Sequence, residues 1–149
     1  MRLDPRVRLA LYGVVAALFV TGAVWLVADQ LKDTASSEAW QQLAATLLMC
    51  HGGAAMAMLM FLGALIPLHV VRAWRARKNR VTGTLMASLD AVLVATAFGL
   101  YYVASPTLRP WMSGLHIGFG LAMPLLFLVH VVTGRRRSAA ANAIESQSS

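Results

Sequence analysis

Four long apolar runs, separated by short polar stretches, set the pattern of the chain. The first extends from Leu9 to Ala28 with no charge inside it. The second covers about Leu43 to Val71. The third covers about Thr84 to Val103 and is interrupted only by Asp90. The fourth extends from Trp111 to Thr133. A helix needs about 20 mostly apolar residues to cross a hydrocarbon core about 30 Å thick, and each run is long enough. In lipid the backbone must satisfy its own polar groups, which leaves helices or closed barrels. Barrel strands are shorter and alternate in polarity. The pattern therefore predicts an all-α, integral membrane four-helix bundle over residues 1–137. The tail from 138 to 149 is poor in apolar bulk and is predicted to be disordered.

Composition agrees with this reading. Of 149 residues, 58% are apolar and 13% charged, and the mean hydropathy is +0.64. A soluble domain carries about 25% charged residues, and a small core cannot enclose so much apolar surface. A soluble globular enzyme is excluded. The single cysteine excludes a disulfide framework and cysteine-ligated iron–sulfur or zinc sites. The absence of a Cys-x-x-Cys-His run excludes covalent c-type haem. No hydrolase triad, phosphate loop or internal repeat is present.

The net charge of +7 would suggest nucleic acid in a soluble protein, but here it follows topology. Arg2, Arg6 and Arg8, the loop Arg72–Arg80 and the run Arg135–Arg137 put eleven of the thirteen basic residues on one side. By the positive-inside rule both termini are cytoplasmic. Trp25, Trp40, Trp74 and Trp111 fall near span boundaries, where aromatic belts form. No nucleic-acid partner is expected. The first run is long for a signal peptide and is followed by Asp29 and Gln30, a poor cleavage site, so it is taken as a retained span.

All four histidines lie inside the spans, His51 and His69 on the second, His116 and His130 on the fourth. Ionisable groups in the membrane are costly and default to functional candidates. Eighteen residues make five helical turns, so an unbroken helix puts His51 and His69 on one face. Fourteen residues put His116 and His130 within about 40° of one face. The two helices run in the same direction, so His51 and His116 share one leaflet and His69 and His130 the other. Imidazole suits haem iron, zinc or copper, and an apolar slot between helices suits a haem held by one imidazole on each side. Gly52, Gly53 and Gly63, and Gly114, Gly118 and Gly120, are small residues that allow a bulky neighbour to approach closely. The longer His51–His69 interval requires tilt, or a kink at Pro67 or Pro124.

Two parallel helices with two same-faced histidines each, separated by a helix without them, resemble the core of the cytochrome b superfamily. His51-Gly-Gly, Ile66-Pro-Leu-His69-Val-Val-Arg-Ala-Trp74, Leu115-His116 and Val129-His130 carry the resemblance, over about residues 43–133. It implies a small bacterial member with two non-covalent b-type haems in the inner membrane. By that resemblance His51 and His116 ligate the periplasmic haem iron, and His69 and His130 the cytoplasmic one. Arg72, close to His69, is a candidate for a haem propionate, with Arg75, Arg109 and Lys32 behind it. Gly52 and Gly118 are candidates for the haem cradle.

The function expected is electron transfer between the quinone pool or a dehydrogenase and a periplasmic redox partner. The chain would be a subunit of an oxidoreductase, or a homodimer, more than an enzyme alone. No quinone-site motif is present, although a quinone is a possible ligand. Asp90 could accept a proton, bond a ligand imidazole, or simply link helices. Two alternatives use the same residues differently. Met49-Cys50-His51 with Met56, Met58 and Met60 would suit a haem-free copper protein. A cofactor-free membrane anchor would need none of the histidines.

Overall fold

The computed structural model describes residues 4–35, 38–76 and 80–147. The elements are α1 (Pro5–Ala35), α2 (Glu38–Leu65), a π-helical turn (Ile66–Val70), α3 (Val71–Arg75), α4 (Arg80–Tyr102) and α5 (Leu108–Gln147). Among the described residues there is no strand. Four helical stretches are long and apolar enough to cross a membrane: Pro5–Lys32, Glu38–Leu65, Arg80–Tyr102 and Leu108–Arg136. Large apolar side chains are exposed along all four, among them Val20, Met56, Phe98 and Leu125, while the buried apolar side chains are only Leu11, Val15, Ala28, Ala44, Met58 and Met123 among the described residues. Apolar exteriors of this kind belong in hydrocarbon, and the chain is a multi-pass membrane protein.

The chain divides into two compact units, Met1–Leu68 and His69–Ser149. In the first, α1 and α2 form an antiparallel hairpin. Ala28 and Ala44, both buried near the turn, let the two backbones approach. A cleft of about 490 Å³ at that end is lined by Trp25, Asp29, Lys32, Gln41 and Leu48. Lys32 donates to Asp29 one turn away, at 2.5 Å.

In the second unit, α4 and α5 form another antiparallel hairpin. Gly99 lies directly beneath the Met112 sulfur, so α4 is bare where α5 presses closest. The connection is held by specific bonds. Arg109 donates to the Leu100 carbonyl at 2.7 Å, satisfying an acceptor that the end of α4 leaves open. Ser105 Oγ accepts from the Leu108 N–H at 3.4 Å where α5 begins. At the other end, the Arg80 guanidinium lies over the Trp74 ring, 5.1 Å from its centroid. It also donates to the Trp74 carbonyl at 2.9 and 3.2 Å.

Two features differ from the sequence-based expectation. The second span is not one α-helix. It passes into π winding at Ile66, around Pro67, and His69 lies in that turn. Proline has no N–H for the carbonyl four residues back, and its ring crowds that carbonyl; a wider turn relieves both. The five-turn arithmetic that put His51 and His69 on one face does not carry through this turn. The second difference is α5, which stays α-helical through Pro124 and on to Gln147, past the predicted end of the span at Thr133.

Arg109→Ala removes the cap on α4. The expected loss is about 1 kcal/mol, read as a lower midpoint of thermal unfolding in detergent, with Arg109→Lys recovering part of it. An unchanged midpoint in Arg109→Ala would show that the Leu100 carbonyl does not need this donor.

Candidate cofactor site

Each histidine whose side chain is described turns its Nδ1 edge to a threonine on the neighbouring helix of its hairpin. In the first unit, Thr21 of α1 places Oγ1 3.1 Å from His51 Nδ1. The next residue is Gly22, and the His51 ring lies against it. A methyl group there would be 3.2 Å from Cε1 and 3.4 Å from Nδ1. With any larger residue the ring would have to give by a few tenths of an ångström. Thr21 in turn donates its hydroxyl proton to the Ala17 carbonyl at 2.6 Å, the back-bond that threonine makes in helices.

The second unit repeats the arrangement twice. Thr96 Oγ1, buried at 7% exposure, lies 2.9 Å from His116 Nδ1 and donates to the Val92 carbonyl at 2.7 Å. Thr82 Oγ1 lies 3.1 Å from His130 Nδ1. Thr82 and Thr96 are fourteen residues apart on α4, as are His116 and His130 on α5. An antiparallel pair in this register sets each threonine opposite its histidine. The interval is about 21 Å along the axis, so the two histidines lie at well separated depths on the α4-facing side of α5.

The sequence-predicted residues fall into place unevenly. His51 belongs to the first unit, and His116 and His130 to the second. The backbone of His69 is in the π turn, but its side chain lies outside the described residues. Gly118 is two residues from His116, about 200° round the helix, and open space surrounds it. Gly52 is about 100° from His51. Neither glycine lies on its histidine's own face; Gly120, about 40° from His116, faces Leu93 at 4.0 Å.

Arg72 is exposed in α3, three residues after His69. Lys32 and Arg109, the basic residues proposed for the other leaflet, are engaged with Asp29 and the Leu100 carbonyl. Asp90 is half-buried on α4. Tyr102 stacks on Phe98, with ring centroids 6.0 Å apart, and is exposed.

Of the residues weighed for copper, Met58 is buried and lies seven residues, about 20° round the helix, from His51. Met49, Met56 and Met60 form an exposed stripe, and Met49 lies about 200° from His51 on the helix. Cys50 is exposed as well.

Thr21, Gly22, Thr82 and Thr96 were not singled out from sequence. A signal for two of them exists: Thr82 and Thr96 repeat the fourteen-residue interval of His116 and His130 on the preceding span. Known proteins offer no guide to the site, since no family model, curated protein or solved structure matches the chain.

The seat beneath His51 makes a prediction. Alanine gains up to about 1 kcal/mol over glycine inside a helix. Gly53→Ala, with open space around it, should gain part of that. Gly22→Ala must push a ring already tied to Thr21, and is expected to be about 1–2 kcal/mol less stable than Gly53→Ala. Equal unfolding midpoints for the two variants in detergent would remove Gly22 from the site.

Proposed function

We propose that the chain is a di-haem b-type cytochrome of a bacterial inner membrane. It would carry electrons between the quinone pool or a dehydrogenase and a periplasmic redox partner, with both termini cytoplasmic. The observation that carries this reading is the repeated anchoring of imidazoles within apolar hairpins: His51, His116 and His130 each have Nδ1 against a threonine hydroxyl. Ligand histidines are commonly held in this way, with one ring nitrogen bonded to the protein and the other left to the metal.

The donor set fits b-type haem. Imidazole is a good ligand for haem iron, and two imidazoles complete its axial coordination. No cysteine is needed, and Cys50, Met49, Met56 and Met60 are exposed. His51, His116 and His130, with His69, are the residues that would hold the iron. The cytochrome b resemblance implies the pairs His51 with His116 and His69 with His130. When bound, haem supplies a one-electron iron couple.

The residues of the chain do the remaining work. The helix hairpins keep water from the imidazoles. The threonines fix the ring planes. Arg72 is the basic side chain closest in sequence to His69 and is assigned to a haem carboxylate. The basic loop and termini fix orientation through the positive-inside rule. The protein is read as a relay or as a subunit of an oxidoreductase.

Single His→Ala variants test the assignment. Haem and protein are quantified in each purified variant. Each of His51→Ala, His69→Ala, His116→Ala and His130→Ala is expected to fall from about two haems per chain to about one. The first and third should lose one spectral component, and the second and fourth the other. Variants that keep the wild-type haem content would end the assignment of those histidines, and losses grouped differently would overturn the pairing.

A further inference from the structure

The cleft at the turn end of the first hairpin is ordered by depth. It holds about 490 Å³ and is open to the exterior. Its polar lining, Asp29, Lys32 and Gln41, lies just outside the first two apolar runs, one of which ends at Ala28 while the next begins at about Leu43. Its apolar lining, Trp25, Ala45 and Leu48, lies one or two helical turns deeper, inside those runs. The cleft therefore straddles the boundary between hydrocarbon and the polar interface, with a charged mouth over an apolar floor. A phospholipid standing in its leaflet has the same order, with a charged headgroup above and an acyl chain below.

The charges narrow the class. Lys32 Nζ donates to Asp29 Oδ1 at 2.5 Å, so this pair gives the mouth both signs of charge. An anionic headgroup would gain Lys32 but meet Asp29. A zwitterionic headgroup offers each of them its opposite. An ammonium has three hydrogens and a carboxylate two oxygens, so the pair can stay bonded while Lys32 donates to a phosphate and Asp29 accepts from a cation. Ethanolamine fits this mouth better than choline. A primary ammonium can donate to both the Asp29 carboxylate and the Gln41 amide carbonyl, whereas a quaternary one has no hydrogen to give.

We propose that the cleft between α1 and α2 is a binding site for one phosphatidylethanolamine molecule. Its phosphate sits on Lys32, its ammonium on Asp29 and Gln41, and the first part of an acyl chain on Trp25 and Leu48. An exposed ion pair alone is worth little. Two lipid charges close this one into a ring of four with alternating sign, and fasten the turn end of the hairpin to its leaflet. The site does not depend on the haem reading.

The test uses the full-length protein, purified and stripped of lipid by detergent exchange. Dioleoyl-phosphatidylethanolamine, dioleoyl-phosphatidylglycerol and dioleoyl-phosphatidylcholine are added one at a time, and bound lipid is counted by native mass spectrometry. One phosphatidylethanolamine is expected to bind about tenfold more tightly than either of the others, the effect of one charge-assisted bond. Lys32→Gln should weaken it by about the same factor. Asp29→Asn, which keeps the shape of the side chain, should remove the preference over phosphatidylglycerol. Ala45→Phe changes no charge but fills the cleft, and should weaken phosphatidylethanolamine as well. Circular dichroism checks the fold of each variant; where one fails to fold, the ranking of the lipids on the wild type decides.

Equal affinity of the wild type for phosphatidylethanolamine and phosphatidylglycerol would overturn the proposal, because the mouth would then read only the phosphate. Equal affinity for phosphatidylcholine would overturn it too, because the ammonium hydrogens would not be read. Folded Lys32→Gln and Asp29→Asn variants with wild-type affinity and ranking would place the lipid elsewhere. Haem content enters none of these results, so the lipid site and the haem reading fail separately.

Discussion

An imidazole in an apolar hairpin must have a partner for its N–H, or burial costs about 1–3 kcal/mol. That constraint organises both halves of this chain. The spans without histidine supply the partners, as Thr21 on α1 and as Thr82 and Thr96 on α4. At Thr21 and Thr96 the hydroxyl is itself satisfied by a carbonyl one turn back. The ring is thereby tied to the neighbouring helix of its hairpin.

The rest of the architecture is what a membrane permits. With so few buried apolar side chains, the hairpins do not enclose a core like that of a soluble domain. Close helix approach takes its place: small residues such as Ala28, Ala44 and Gly99 are found where neighbouring helices press together. Hydrocarbon would solvate the exposed leucines, valines and phenylalanines, which in water would drive aggregation. The polar ends are treated differently. Arg109 caps α4 through the Leu100 carbonyl, and Arg80 anchors on Trp74, both where charged side chains reach the interface.

The spans were legible because length and uniform apolarity are coarse signals that a bilayer enforces on every residue. Their observed ends, such as Leu65 for the second, moved by a few residues where local winding took over. Pro67 was a visible reason for a kink, but whether proline bends, breaks or widens a helix depends on its neighbours, so the π turn carrying His69 was not legible. The histidines stood out because ionisable residues are rare in such runs. The threonines did not, since a helical threonine ordinarily bonds only its own backbone, as Thr46 and Thr84 do here. Glycine misled for a similar reason. Adjacency in sequence drew attention to Gly52 and Gly118, whereas the His51 ring lies against Gly22, twenty-nine residues earlier in the chain, a contact visible only once the hairpin is built.

The most direct test of the central claim, that these anchored imidazoles hold haem, is a low-temperature electron paramagnetic resonance spectrum of the oxidised wild-type protein, taken with a reduced-minus-oxidised visible spectrum of the same sample. Low-spin ferric signals with sharp b-type bands, at about two haems per chain, are the predicted result. A protein purified without haem from cells that make it in excess would contradict the account.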